Sequence, residues 1–199
     1  RLSTQWEIGS KYRWQQFDLD ATLFRIQQPY QYAKPDTSSA GFTFVQQGKE
    51  IHEGIEVSTH GRLHDNLNLQ TSLAYLRAQA KATGTPAFEG HQVVNVPRLR
   101  STIHIDYALH PQLSVLAGWR YAARNPATAD GKVAVPAYHV FDAGLRFRGQ
   151  LHQHDVEVML GMDNISNRFY WRDTGSSQGD NYLFPGAPRL ARISVRVAL

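Results

Sequence analysis

The chain has 199 residues, 42% of them hydrophobic, and carries a formal net charge of +4 from 21 Lys plus Arg against 17 Asp plus Glu. That charge is too small and too dispersed for a nucleic-acid footprint, and the absence of cysteine removes disulfide scaffolds and thiolate metal sites. A charged or amide residue every few positions leaves no run of about 20 apolar residues, so no segment can cross a membrane as a helix.

The pattern that does recur is strict alternation. Trp6, Ile8, Ser10 and Tyr12 alternate with Glu7, Gly9 and Lys11; after a polar corner at 13–16, Phe17, Leu19, Ala21 and Leu23 alternate with Asp18, Asp20 and Thr22. Strand side chains reverse direction at every residue, so each run makes one apolar and one wet face, and the pair predicts a tight hairpin. A loop rich in Pro, Ser, Asp and Tyr is expected at 28–40, then a long strand over 42–62 in which Gly48 and Gly54 suggest bulges.

After a corner at 63–66, Leu67, Leu69, Thr71, Leu73 and Tyr75 point one way and Asn68, Gln70, Ser72 and Ala74 the other, before a long loop at 81–92. Over 98–108, Ile103, Ile105 and Tyr107 oppose Arg98, Arg100, Thr102, His104 and Asp106; a turn at 109–112 leads to Leu113, Val115, Ala117, Trp119 and Tyr121, and a third long loop spans 122–135. Phe141, Ala143, Leu145 and Phe147 form the next run, the corner at 148–152 is short, and Val156, Val158, Leu160 and Met162 follow. The longest loop, 166–188, precedes a last run with Ile193, Val195, Val197 and Leu199 opposite Arg192, Ser194 and Arg196. No segment has a 3.6-residue apolar period, so essentially no helix is expected.

The fold class is therefore all-β, an antiparallel transmembrane β-barrel wall: alternation carries the lipid face, and short corners alternate with long loops. Corners belong to the periplasmic side and loops outside, which puts Leu199 on the periplasmic side. Nine strands are an odd number, whereas single-chain bacterial barrels close with an even number and lipid does not tolerate open edges. The chain starts at Arg1 with neither Met nor a charged-then-apolar leader, which reads as a mature product or a piece of something longer. The odd count favours the piece. Taken alone, such a piece would pair its edges with another copy, close into a smaller barrel or be covered by detergent.

Six motifs carry a family resemblance: Gly48-Lys49, Gly54-Ile55-Glu56, Asn95-Val96-Pro97-Arg98, Tyr138 with Phe141-Asp142, the run NISNRFY from Asn164 to Tyr170, and Gly186-Ala187-Pro188-Arg189. In order and spacing, over nearly the whole chain, they resemble the C-terminal barrel of TonB-dependent siderophore receptors. The resemblance implies a 22-stranded outer-membrane barrel with an N-terminal plug, importing ferric siderophores with energy transmitted by TonB. Residues 1–199 would be the C-terminal portion, about the last nine strands, with plug and TonB box absent. Iron would arrive as chelated cargo, so no resident cofactor or metal is expected; the partners would be the ferric siderophore, outer-membrane lipid and TonB through the plug. Two departures stand out: the chain ends on Leu199 where the family usually ends on an aromatic residue, and Asn164-Ile165-Ser166-Asn167 stands where Asn-Leu-Phe-Asp is common.

On that resemblance the ligand surface is expected in loops and lumen near the external mouth, where rings stack on a bulky anionic chelate and guanidinium groups pair with its oxygens. The candidates are Tyr30 and Tyr32 in the first loop, Arg120 and Arg124 near the third, and Trp171, Arg172, Tyr182 and Phe184 in the last. Trp119 and Tyr121 read instead as membrane-interface aromatics. Among the nine histidines, His152 with His154 and the series His52, His60 and His64 suggest a metal, but without a converging carboxylate set solvated turn residues are preferred. His104, Asp106 and Ser114 could be set out as a hydrolytic trio. An ionic lining fits better, formed by inward Glu7, Asp18, Asp20, Glu56, Arg100, Asp106, Arg120, Asp142, Arg146, Glu157, Arg192 and Arg196. The chain is thus read as a transporter and not an enzyme. Two other readings stand beside it: a complete small barrel of ten strands acting as adhesin or structural wall, and a soluble lipid-binding barrel or sandwich.

Overall fold

The computed structural model describes residues 2–36, 41–177 and 180–198. Nine strands form one antiparallel sheet: β1 (Thr4–Trp14), β2 (Phe17–Pro35), β3 (Phe42–His64), β4 (Leu67–Lys81), β5 (Leu99–His110), β6 (Leu113–Ala122), β9 (Tyr138–Leu151), β10 (His154–Asp163) and β13 (Leu190–Val197). Each pairs with its neighbours along the chain, and β1 and β13 are the two edges, so these nine strands do not close on themselves. Two ribbons interrupt the sequence order, β7 (Asn125–Pro126) with β8 (Ala134–Val135) and β11 (Trp171–Ser177) with β12 (Asp180–Pro185). No helix occurs among the described residues.

Register decides the faces, because residues directly opposite on an antiparallel pair share a side. One row runs Tyr12, Leu19, Thr59, Thr71, Ile103, Trp119, Phe141 across seven strands. Another runs Tyr107, Val115, Leu145, Leu160, Ile193 to the far edge. The two threonines on this side bond to each other at 2.9 Å. The apolar side chains have no second layer over them: Ile193 is 70% and Val195 61% exposed. A sandwich, which would bury them in a shared dry centre, is not the architecture. Leu199, the last outward residue of the sequence pattern, lies outside the described residues.

The opposite face is polar and hollow. Asp18, His60, Gln70, His104, Gly118 and Asp142 form one row across six strands, and a hollow of about 850 Å³ is lined by His60, Gln70, Asp106, Asp142, Asp163 and Arg192 among others. Ion pairs bridge neighbouring strands here: Arg13 with Asp18 at 2.6 Å, Arg120 with Asp142 at 3.1 Å, Arg148 with Glu157 at 2.8 Å and Arg192 with Asp163 at 2.6 Å. Charge on a wet face finds partners across strands, and of the anticipated lining Asp18, Asp20, Asp106, Arg120, Asp142, Arg146, Glu157, Arg192 and Arg196 take part in such pairs.

Short connections lie at one end of the sheet and long ones at the other. The residue pairs 15–16, 65–66, 111–112 and 152–153 join strands directly. His152 and Gln153 both have positive φ, 54° and 83°, as a mirror-image turn matched to strand twist requires. At the long-loop end the strands outrun the expectation. The region 28–35 anticipated as loop belongs to β2, which shifts register between Pro29 and Gln31, and the loop tip at 37–40 lies outside the described residues.

Candidate functional site

An aromatic core cluster sits at the long-loop end. Tyr30 and Tyr32, i and i+2 on β2, stack at 5.1 Å and are each 7% exposed, packed with Ala80, Val45 and Phe88. Phe88 meets Tyr32 edge-on at 5.1 Å. The Tyr32 hydroxyl lies 3.0 Å from the Thr83 carbonyl, to which it donates, and 2.8 Å from the Thr85 hydroxyl. Both rings therefore hold the loop after β4 against the sheet.

Glu89 closes that loop on itself. Its carboxylate accepts the backbone N–H groups of Thr83 at 3.0 Å and Ala82 at 3.1 Å, and the Thr83 hydroxyl at 3.2 Å. The Thr83 amide first, and then that of Ala82, hold the acid below its ordinary 4.5. A carboxylate depressed in the folded state stabilises above its unfolded value and loses that contribution as pH falls through the lower folded one. Glu89→Gln is expected to speed amide exchange of 82–92 several-fold at neutral pH. Wild type should approach the variant in acid, below the ordinary 4.5. Equal exchange at pH 7 would remove Glu89 as the latch.

The second cluster surrounds Asp142, whose Oδ1 accepts from Arg120 at 3.1 Å and from the Asn164 amide at 2.8 Å. Asn164 is 1% exposed. Its Nδ2 donates to the carbonyls of Arg168 at 2.8 Å and Ala187 at 3.1 Å, and its Oδ1 accepts from the Arg168 amide at 2.8 Å. One side chain thus ties the exit of β10 to the approach to β13. Beside it Tyr138 and Tyr170 pack at 4.5 Å, and a Cβ on Gly186 would collide with the Tyr170 ring. These contacts explain why NISNRFY and the run after Gly186 occur together.

Asn95 joins the clusters. Its amide donates to the Pro126 carbonyl at 3.1 Å and its Oδ1 accepts from the Thr174 amide at 3.1 Å, so the loops after β4 and β6 and the β11–β12 ribbon meet at one residue. Sequence reasoning treated Asn95 and Asn164 only as motif letters. Both have positive φ, 61° and 49°, a conformation that asparagine tolerates better than most residues, and that tolerance was the available signal.

Of the anticipated ligand residues, four share the β11–β12 ribbon. Trp171 lies edge-on to Phe169 at 5.0 Å, Arg172 pairs with adjacent Asp173 at 2.5 Å, and Tyr182 and Phe184 are half exposed. Arg120 faces the hollow paired to Asp142, while Arg124 is exposed in the loop after β6. Tyr30 and Tyr32 form a separate, buried group. Trp119 and Tyr121 stand on the apolar face, stacked with each other at 6.0 Å and both packed on His139.

Among the described residues most side chains set out for hydrolysis or metal binding have other partners. Arg146 binds Asp106 and reaches the Ser114 hydroxyl at 3.4 Å, so both are engaged by a cation and not by His104. His52 bonds Glu50 at 3.0 Å, His60 lies 3.3 Å from Asp18 and His64 bonds Asn66 at 3.0 Å. His154 meets the Ala198 carbonyl at 3.1 Å. Among the described residues no three His, Asp or Glu side chains converge as a metal would need.

Comparison with known proteins places this geometry. The family described as TonB dependent receptor-like, beta-barrel matches residues 2–165. The chain is 25% identical over 177 residues to a probable TonB-dependent siderophore receptor, PiuA, of Acinetobacter baumannii, covering 83% of this chain and 23% of that protein. It is 29% identical over 192 residues to the catecholate siderophore receptor Fiu of Escherichia coli K12, covering 92% of this chain and 24% of Fiu. The crystal structure of BauA, the ferric preacinetobactin receptor from Acinetobacter baumannii, superposes with a TM-score of 0.84 at 25% identity over 98% of this chain and 29% of that one. The chain spans about a quarter of the length of the curated relatives it matches.

Proposed function

The chain belongs to the TonB-dependent receptor β-barrel family, and from that premise we propose that it forms about nine C-terminal strands of a closed, 22-stranded outer-membrane barrel that imports ferric siderophores. The observation that carries this reading is the uninterrupted apolar face, in register across nine strands and backed by an ionic, hollow face. Aromatic residues bracket it: Trp14, Phe17, Tyr107 and Phe147 towards the short turns, Trp6, Tyr75, Trp119 and Tyr121 towards the long loops. From Leu67 to Tyr75 a strand rises about 26 Å, matching the roughly 25 Å apolar band of such barrels.

In that setting β1 and β13 pair with further strands, the short turns face the periplasm and the loops face outside. A plug fills the polar hollow and receives energy from TonB. The chain works as receptor and transporter and not as an enzyme. Iron passes as chelated cargo, without a resident metal or cofactor. The ligand surface combines Trp171, Arg172, Tyr182 and Phe184 on the ribbon with Arg120 and Arg124, and Tyr30 and Tyr32 brace its opposite wall.

Uptake of radioactive iron tests this in iron-starved cells carrying the full-length gene, each ferric siderophore supplied singly. The Tyr182→Ala/Phe184→Ala variant is expected to lose most uptake of one siderophore while its surface abundance stays normal. Uptake indifferent to deletion of the whole gene, for every siderophore offered, would reject import.

A further inference from the structure

One row of inward positions reads Glu56, Ala74, Arg100, Ala122, Tyr138 across β3, β4, β5, β6 and β9. Arg100 therefore stands exposed between two alanines, with the acid of its row two strands away beyond Ala74. The Leu76 amide donates to the Arg98 carbonyl at 2.8 Å, which continues the β4–β5 ladder and sets Arg98 opposite Leu76. Among the described residues neither Arg98 nor Arg100 has a carboxylate within 4 Å, whereas Arg120, Arg146, Arg192 and Arg196 of the same face each have one.

Arg120, opposite Thr102, is the diagonal neighbour of Arg100 on β6. Its carboxylate partner, Asp142, also serves the Asn164 amide, and the buried Arg120 Nε has no acceptor. The charges of Arg100, Arg120 and Asp173 all act on the Tyr138 hydroxyl, which gathers them around one phenol. Asp173 is already paired with Arg172. The Tyr138 ring packs on Tyr170, and Asn95, three residues before Arg98, holds Thr174 of the β11–β12 ribbon. A cationic excess thus lies at the foot of the ribbon.

We infer that Arg98 and Arg100, together with Arg120, make the site select a ferric chelate of net negative charge over a neutral one. This inference rests on the import reading and narrows its substrate class. Hydroxamates cancel the charge of the ferric ion they enclose, whereas catecholates and citrate leave the chelate with anionic oxygens. Guanidinium groups only donate, so a ligand seated among them has to supply the acceptors. Charge-assisted bonds of that kind are about twice as strong as neutral ones.

The full gene product in dodecyl maltoside is titrated with ferric enterobactin and ferric citrate as anionic chelates and with ferrichrome as the neutral one, the dissociation constant being read from quenching of tryptophan fluorescence. Wild type is expected to bind an anionic chelate tightest. Arg98→Gln/Arg100→Gln weakens that chelate about tenfold or more and leaves ferrichrome within about twofold. Arg100→Lys, which keeps the charge, weakens it less than Arg100→Gln, a ranking that a merely structural role would not give. Arg148→Gln, paired with Glu157 towards the short turns, changes neither class. Ferrichrome bound tightest by wild type, an unchanged constant for the anionic chelate in the double variant, or equal loss of both classes overturns the selection while import stands. Binding of none of the three overturns the selection and the import reading together.

Discussion

Leu145→Arg is expected to destabilise the barrel by about 2–4 kcal/mol in a phosphocholine bilayer, the cost of a cation near the midplane of a lipid-facing strand. Leu145 stands in the outward row with Val115, Leu160 and Ile193, between Phe141 and Phe147 of the same strand, and is 45% exposed. In the proposed setting no acid among the described residues of that face can reach it, and the nearest water would lie beyond the aromatic residues at either end. One residue along, Arg146 faces the hollow and binds Asp106, so an arginine is native there and damaging next door. Phe44→Arg provides the control, because Phe44 is 71% exposed on the part of β3 that outruns the apolar band and should tolerate the change within about 0.5 kcal/mol. Urea titration of the full gene product in bilayers measures both. Equal, small effects at Leu145 and Phe44 would mean that Leu145 faces water, and the membrane assignment of this face would go with it.

That contrast also separates what the sequence disclosed from what it hid. Wherever a strand divides lipid from a wet interior, alternate residues obey opposite solvents, so Leu67 to Tyr75 or Phe141 to Phe147 can be read by eye and the structure keeps every one on its expected side. Above the band both faces meet water and the alternation lapses. Residues 28–35 then look like loop, with Pro29, Pro35 and two tyrosines, although β2 continues through them and uses Pro29 where the register shifts. The β11–β12 ribbon was hidden for the same reason. Tyr30 and Tyr32 could be assigned to the ligand end but not to burial, because the cover over them comes from Phe88, Thr83 and Thr85, some fifty residues away. Asp142 was legible as an inward acid; its double engagement by Arg120 and Asn164 depends on a loop returning from β10, which no local pattern records.

Asn164 is where that return is most vulnerable. Asn164→Ala is expected to cost about 3 kcal/mol or more, from two separable sources: alanine in a left-handed backbone conformation, at roughly 1–2 kcal/mol, and buried backbone groups stripped of partners, at roughly 1–3 kcal/mol each. The φ of 49° sets the first. The carbonyls of Arg168 and Ala187 and the amide of Arg168 set the second. Asn164→Gly removes the conformational part and keeps the lost bonds, so it should recover about 1 kcal/mol relative to alanine. Asn164→Asp keeps the acceptor for the Arg168 amide but sets a carboxylate against two carbonyl oxygens and Asp142, and should be the worst of the three at neutral pH, improving as the pH falls and the new acid becomes a donor. Denaturant titration gives the order, and amide exchange over 165–190 locates the damage: the ribbon bearing Trp171, Arg172, Tyr182 and Phe184 should exchange faster while β1 to β4 stay unchanged. Alanine and glycine variants both within about 0.5 kcal/mol of wild type would show that the ribbon is held without Asn164. If the expected order and the proposed ligand surface both hold, siderophore affinity should fall along the same series, because a ribbon released from Asn164 no longer holds Trp171, Arg172, Tyr182 and Phe184 in fixed positions.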